Sequence, residues 1–510
     1  MTESHDHEQE SRSRAKGYLK NTLKHGTIYS LGVVLSRLIG FIMIPVYTRV
    51  LTPADYGTLE VLSLTADVFA MLAGMGIGTA VIRYYYFYDT ESDRNTVVSS
   101  AAVTMLGIFS LIVLASVLFA EPAARLLLGS EEMVSLIPLA AVNLATGAAL
   151  EVPVVLMRAR QNSTSVVTVG LVRLLIGLTL NIVFVVVMRM GVAGVLLSST
   201  IASSIVGGTL MIGMFRETGL SFSTAVTRKL IVFGAPLVIW DIGSFVLHFS
   251  DRYFLRAYDS LAGVGIYSLS YKLAMLISLF VSGPFTNIWV PKALEIERRE
   301  GAGAVAVLGS IVHYYNLVLV TVAVGVSLFA SDVIRLVTGP EFHAAGRPVP
   351  MLALAMVLFG YRGIAQVGAL IRERSDLVAK STIVAAVSVI GLNMLLIPRW
   401  GVMGAAVATA LAFGLEFVLM RRFSMRVYPL PVDLVVLLKP VALGAAVLIA
   451  TGFILPADAG VVLSIGVRLV MLAVFAAGML YAGILTADER ALLMRSLRGP
   501  RAFLAALKGA

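Results

Sequence analysis

Basic residues lie inside long apolar runs of this chain, among them Arg37, Arg173, Lys272, Arg362, Lys439 and Arg468. Acids do the same, among them Glu60, Asp67, Glu151, Asp241 and Glu416. A Lys, Arg or Asp near the centre of a membrane helix costs about 2.5–3.5 kcal/mol on insertion scales, so such groups are kept for a reason. The chemistry open to them is holding ions and moving protons. An arginine presents a planar fork that matches phosphate oxygens. A desolvated carboxylate can pair with a cation, take up a proton or bind Na⁺. The bland alternative for each is snorkelling to an interface or pairing with a neighbouring charge. Covalent chemistry has little to work with. The chain has no Cys, which excludes disulfides, thiolate metal sites and a Cys nucleophile. Of its 6 His, two (His5, His7) sit in a polar tail, so a His-rich metal site is not expected.

The elements that carry these charges are set by composition. Of 510 residues, 58% are hydrophobic and 14% charged, against about 45–50% and about 25% in soluble proteins. Mean hydropathy is +0.90. A soluble enzyme or binding module of this size would need far more polar surface. The reading is an all-α polytopic membrane protein. Apolar runs of about 20 residues fall at 26–48, 58–82, 96–119, 133–157, 163–188 and 191–215, then at 230–251, 262–290, 303–330, 350–371, 378–397 and 401–420, and finally at 433–454 and 460–485. That makes about fourteen spans. A β-barrel would show alternating segments of about ten residues instead. With the N-terminus inside, roughly two-thirds of the 40 Lys and Arg fall in the tails and inner loops, so both termini are expected to be cytoplasmic. The net charge of +10 follows from that topology, and no aromatic-interleaved basic patch points to nucleic acid. Residues 1–25 read as a polar cytoplasmic tail without a cleaved signal, and 486–510 as a basic amphipathic tail suited to an anionic leaflet.

Two stretches repeat at an offset of about 210 residues. Met157-Arg158-Ala159-Arg160, Asn181 and Gly191-Val192-Ala193-Gly194 answer to Ile371-Arg372-Glu373-Arg374, Asn393 and Gly401-Val402-Met403-Gly404. Lys24 likewise answers to Lys229, and Tyr56-Gly57 to Val264-Gly265. Spans 1–6 (residues 26–216) therefore resemble spans 7–12 (residues 217–424), with two helices appended at 425–485. Six spans per repeat put both halves in the same orientation, which places a cavity between two lobes near mid-membrane.

The N-terminal residues Gly26-Thr27-Ile28-Tyr29-Ser30, Arg37-Leu38-Ile39-Gly40-Phe41 and Pro45-Val46-Tyr47-Thr48-Arg49-Val50-Leu51-Thr52-Pro53-Ala54-Asp55-Tyr56-Gly57 are similar to the start of Wzx-type polysaccharide-unit flippases. Asp251-Arg252-Tyr253-Phe254-Leu255 and Gly265-Ile266-Tyr267-Ser268 resemble the matching part of their second half. These flippases belong to the multidrug/oligosaccharidyl-lipid/polysaccharide (MOP, MATE-like) exporter superfamily. The resemblance implies two six-helix lobes, alternating access and no cofactor. It also implies translocation of an undecaprenyl-diphosphate-linked oligosaccharide from the cytoplasmic to the periplasmic leaflet of a bacterial inner membrane, with a polysaccharide polymerase or chain-length machinery as partners. On that basis Arg37, Arg49, Arg252 and Lys272 form the expected diphosphate cage. Glu60 and Asp67, two turns apart on one helix face, join Asp241 and Asn393 as coupling or charge-pairing groups. An Na⁺ site at Asp241, Asn393 and Thr409 would resemble one used by relatives.

Tyr267, Tyr271, Asn287 and Gln366 are the expected sugar contacts, with His313, Tyr314, Tyr315 and Asn316 in the same set. An interfacial aromatic belt is the other reading for Tyr314 and Tyr315. Glu151 and Glu416 are expected to pair with Arg158 and Arg421. Lys439 is expected to snorkel, while Arg468 is left between a bundle interior and the path of a lipid tail. Gly74-Met75-Gly76-Ile77-Gly78 resembles a phosphate loop but lacks its Lys-Ser/Thr ending and follows no strand, so it reads as a helix bend or close packing. Asn162-Ser163-Thr164 fits a glycosylation sequon in an inner loop and is set aside. Two other superfamily activities stay open, a multidrug/cation antiporter and a peptidoglycan-precursor flippase. A membrane glycosyltransferase is disfavoured, because the longest outer loop, about 331–349, offers only Asp332 and Glu341.

Overall fold

The computed structural model describes residues 43–428, 433–456, 459–481 and 483–484. Residues 43–50 are helical and are labelled α1. The break at Leu51-Thr52-Pro53-Ala54-Asp55 is a built helix start. Thr52 Oγ1 accepts from the Asp55 amide at 3.2 Å and the Asp55 carboxylate accepts from the Thr52 amide at 3.0 Å, a reciprocal capping box with Pro53 in the first turn. It opens α2 (Pro53–Gly74), which turns at Met75 and Gly76 (φ 43° and 62°) into α3 (Ile77–Phe87). The glycine-rich motif is thus a bend, as expected, and Gly76 is where the left-handed backbone calls for glycine. Then come α4 (Glu91–Leu118), capped by Thr90, the short α5 (Ala120–Leu127), α6 (Leu136–Ala148) and α7 (Glu151–Ala159). Next is α8 (Ser163–Asn181), capped by the Asn162 side chain of the discarded sequon. α9 (Gly191–Thr218) and α10 (Thr224–Tyr258) follow, the latter bent by 56° between Pro236 and Asp241. The remaining helices are α11 (Leu261–Ile277), α12 (Gly283–Glu300), α13 (Ala304–Val337), α14 (Val349–Ile371), α15 (Ser375–Val427), α16 (Leu434–Ile454) and α17 (Val461–Tyr481).

The described residues are all-α, and 11 helices among them, or 12 with the bent α10, are long and apolar enough to cross a membrane. α15 enters that tally once, yet its 53 residues would reach about 80 Å, against a hydrocarbon core of about 30 Å. It breaks at Gly401 (φ 51°, ψ −129°), where the sequence places a boundary between two spans. This is consistent with fourteen crossings, the first of which, 26–48, lies mostly outside the described residues.

The chain divides into two compact units at Met1–Gly265 and Ile266–Ala510, later than the expected lobe boundary at 216/217. The reason is α10, which is built onto the first unit along its length. The Ser221 and Ser223 amides donate to the hydroxyls of Ser99 and Ser100, each at 3.0 Å, and Thr104 and Thr227 share a hydrogen bond of 3.2 Å. Further along, Thr65 and Tyr253 meet at 3.0 Å. Gly234 lies so close to the α2–α3 bend that a Cβ there would strike the Met75 carbonyl oxygen. Around these contacts, Ile77, Val81, Val98, Ala101, Met105, Val152 and Leu230 form a dry core.

The backbone repeats where the sequence does. Gln161 and Glu373 both turn left-handed (φ 57° and 56°), and the next amides, Asn162 and Arg374, close back to Met157 and Ala369 oxygens. These are the same helix-ending motif. They set Arg160 against Arg372, two residues off the register expected from the Arg-rich flanks, and in step with Asn181 and Asn393. At the helix starts, Ser260 receives the Gly263 amide at 3.0 Å much as Thr52 receives Asp55. Gly57 and Gly265 follow at matching positions and touch. A Cβ on Gly57 would meet the Leu261 oxygen, and one on Gly265 the Pro53 oxygen. Both obstacles are backbone and cannot step aside. We expect Gly57→Val and Gly265→Val each to cost about 1–3 kcal/mol through overpacking, read as earlier thermal unfolding in detergent. Unchanged melting of both would contradict the contact.

Candidate functional site

The expected cage residues fall in both units. Arg37 lies outside the described residues. Arg49 is exposed at the end of α1, and Lys272 is half-buried on α11. Arg252 is buried on α10: its Nη1 donates to Asp251 at 2.6 Å and to the His248 carbonyl at 2.9 Å, with both side chains only 2% exposed. Its guanidinium also sits 5.4 Å from the Phe249 ring centre. This cation is answered by its sequence neighbour.

Glu60 is half-buried and Asp67 exposed on α2. Asp241 is exposed on α10, in the first unit, whereas Asn393 and Thr409 are buried in the second. Thr409 Oγ1 is shared with the Ala405 carbonyl and the Tyr267 hydroxyl, each at 3.0 Å. Neither amide atom of Asn393 has a hydrogen-bond partner among the described residues. Its repeat mate Asn181 receives the Tyr47 hydroxyl at 3.0 Å.

The expected sugar contacts separate. Asn287 is exposed and Gln366 half-buried. Tyr267 and Tyr271 are buried, with rings 6.0 Å apart, so in this conformation neither offers a face to a sugar. Tyr314 is exposed. Tyr315 is buried rather than interfacial, stacked on Phe285 at 3.9 Å, with its hydroxyl on Ser282 at 3.0 Å. Asn316 is consumed in a buried knot. It receives the Tyr361 hydroxyl at 2.5 Å and donates to the Val436 carbonyl at 3.1 Å, while the Tyr361 hydroxyl also contacts the Leu437 carbonyl at 3.0 Å. That knot ties the first turn of α16 to α13 and α14.

Two ion pairs inside the second unit join residues far apart in sequence. Glu416 pairs with Arg362 at 3.1 Å and accepts from Thr382 at 2.7 Å. This corrects the expected Glu416–Arg421 pair: α14 and the first half of α15 present Arg362 and Thr382 directly to the carboxylate. Asp332 on α13 binds both Ser464 (2.7 Å) and Arg468 of α17, which places Arg468 in a bundle interior. Lys439 is exposed.

In the first unit, α3, α7 and α8 enclose a partly open cavity of about 400 Å³. Its charged lining is Glu151, Arg158 and Arg173. Arg158 lies within electrostatic reach of Glu151, as expected. Sequence reasoning counted Arg173 among the intramembrane charges but did not join it to Glu151. The available signal was the seven-residue spacing of Glu151 and Arg158, which puts both on one helix face.

Residues 22–296 match the family model described as polysaccharide biosynthesis protein. The chain belongs to that family. Among curated relatives it is 25% identical over 199 residues to the probable low-salt glycan biosynthesis flippase Agl15 of Haloferax volcanii, covering 39% of this chain and 42% of that protein. It is 24% identical over 206 residues to the uncharacterized membrane protein MJ1068 of Methanocaldococcus jannaschii, covering 39% of each. The chain thus spans about two-fifths of the length of these relatives. Its fold is that of the lipid II flippase MurJ in an inward closed conformation (TM-score 0.71, 12% identity, 89% of this chain and 99% of that one). A multidrug resistance MATE transporter of the MOP superfamily, inward-facing, also matches (TM-score 0.60, 15% identity, 79% and 94%). The named relatives and neighbours of this family member, MJ1068 aside, are flippases and transporters.

Removing one partner of a buried pair strands the other charge, at a cost of about 3–5 kcal/mol. Arg362→Ala should therefore melt markedly earlier than wild type in detergent, and Arg362→Met with Glu416→Leu should recover much of the loss. Equal melting of Arg362→Ala and wild type would show that the pair carries no stability.

Proposed function

We propose that this protein flips an undecaprenyl-diphosphate-linked oligosaccharide unit from the cytoplasmic to the periplasmic leaflet of a bacterial inner membrane, as a step in polysaccharide biosynthesis. The match of residues 22–296 to the polysaccharide biosynthesis family carries this reading. The named function of the Haloferax relative and the shared fold of two transporter classes support it. Two six-helix lobes alternate access while the lipid tail stays in the bilayer. Arg37, Arg49, Arg252 and Lys272 hold the diphosphate, whose charge is costly to carry through low dielectric unless it is neutralised. Arg252 joins by exchanging Asp251 for a phosphate oxygen. Asn287 and Gln366 meet the glycan. Glu60, Asp67, Asp241 and Asn393 pair charges or couple the cycle to an ion.

A cation antiporter would call for an acidic or apolar cavity, and the basic residues of the first, seventh and eighth spans argue against it. A peptidoglycan-precursor flippase is the second reading, favoured by the alignment with 99% of MurJ.

The Arg37→Ala, Lys272→Ala double variant should lose export of glycan while the protein remains in the membrane. Full export by that variant defeats the cage. The lipid profile of a deletion strain separates the two flippase readings: accumulated glycan repeat units support the first, and accumulated peptidoglycan precursor the second.

A further inference from the structure

The cavity bounded by α3, α7 and α8 contains a mid-helix cation, Arg173, with no ion-pair or hydrogen-bond partner among the described residues. Arg173 is the eleventh residue of α8, about 15 Å along it at 1.5 Å per residue, which is mid-membrane for a crossing helix. An arginine at that depth marks a functional site by default. Here it lines a partly open cavity of about 400 Å³, and ligand sites fall at about 300–1,000 Å³.

The rest of the lining completes a recognisable chemistry. Arg158 and Glu151 stand two turns apart on the face of α7 that also presents Val154 and Val155. Opposite them is the start of α3, with Gly76, Gly78 and Thr79. Its first turn has no side-chain cap. Gly78 leaves room for this carboxylate: a Cβ on it would come within 2.8 Å of Glu151 Oε1, which would then have to shift. The carboxylate is therefore packed against α3 backbone, where a larger residue would displace it. Two guanidiniums suit a phosphate ester, since each can grip two oxygens. A carboxylate beside them repels a bare phosphate, yet it is a strong acceptor for hydroxyl groups. Phosphate and hydroxyls together describe a sugar phosphate.

We propose that this cavity is a binding site for the glycosyl phosphate end of the lipid-linked substrate, with Arg158 and Arg173 on the phosphate and Glu151 on sugar hydroxyls. It rests on the transport reading above but uses none of the cage residues, and it lies wholly within the first unit. A phosphatidylglycerol headgroup offers the same phosphate-ester chemistry, so the test must separate the two sources.

The probes are geranyl-diphosphate-linked N-acetylglucosamine, inorganic diphosphate, and phosphatidylglycerol titrated into phosphatidylcholine nanodiscs. The full chain is purified into phosphatidylcholine nanodiscs and binding is measured by calorimetry. Arg173→Gln should weaken the sugar probe about tenfold or more, as expected for a lost charge-assisted bond. Arg173→Lys should retain part of the affinity. Glu151→Gln should weaken the sugar probe while leaving inorganic diphosphate equal or tighter. Gly78→Ala should act like Glu151→Gln. If Arg173→Gln does not yield a monodisperse protein, the Glu151→Gln and Gly78→Ala split between the two probes still decides. Unchanged sugar-probe affinity in both Arg173→Gln and Glu151→Gln overturns the site. So does competition by phosphatidylglycerol that is lost in Arg173→Gln while the sugar probe is unaffected. Wild-type protein that binds the probe through these residues but exports no glycan would sink the transport reading and leave the site standing.

Discussion

A charge inside hydrocarbon-length helices must be met by a counter-charge, a polar cavity or a ligand, because no water is there to solvate it. The architecture of this protein can be followed from how each charge is met. Arg362 is met by Glu416 across the α14–α15 pair, and Arg468 by Asp332 across α13 and α17. Arg252 is met by the adjacent Asp251. Arg173 is met by a cavity. The first two devices hold the second unit together. The third keeps a cation dehydrated and loaded, and the fourth keeps one available.

The spans, the glycine-rich bend and the chain's internal doubling were legible in the sequence, because each rests on local pattern: apolar run length, positive-φ turns and capping residues. The repeat register was legible only to within two residues, since arginines flank both turns and the backbone turn at Gln161 and Glu373, not the charges, sets the alignment. The first compact unit runs past the lobe boundary expected at 216/217 for a different reason. Periodicity counts helices equally, whereas α10 is fastened to the first unit by serine hydroxyls at Ser99 and Ser100 and by the Gly234 contact, none of which is periodic.

Charge pairing was the least legible feature. Glu416 was matched to Arg421 because the two are close in sequence, yet its partners stand 54 and 34 residues away. Asp332 and Arg468 are 136 apart. Buried polar side chains were hard to read for the same reason. Tyr267, Tyr315 and Asn316 have the right chemistry for sugars, but each is already engaged with Thr409, Ser282 or the α16 backbone. A polar side chain in an apolar run signals that something must satisfy it, and the sequence alone does not say whether that partner is a ligand or another helix.

The knot at Asn316 and Tyr361 bears on the two helices beyond the repeat. Hydrogen bonds to the carbonyls of Val436 and Leu437 grip main chain that no side-chain substitution in α16 can remove. At the other end of the same unit, Asp332 clasps α17. The appended pair is therefore welded cargo of α13 and α14 rather than a hinged flap. Evolution can redecorate its lipid-facing flank freely, while the seat of α16 stays anchored by backbone atoms that every sequence shares and that of α17 rests on Ser464 and Arg468.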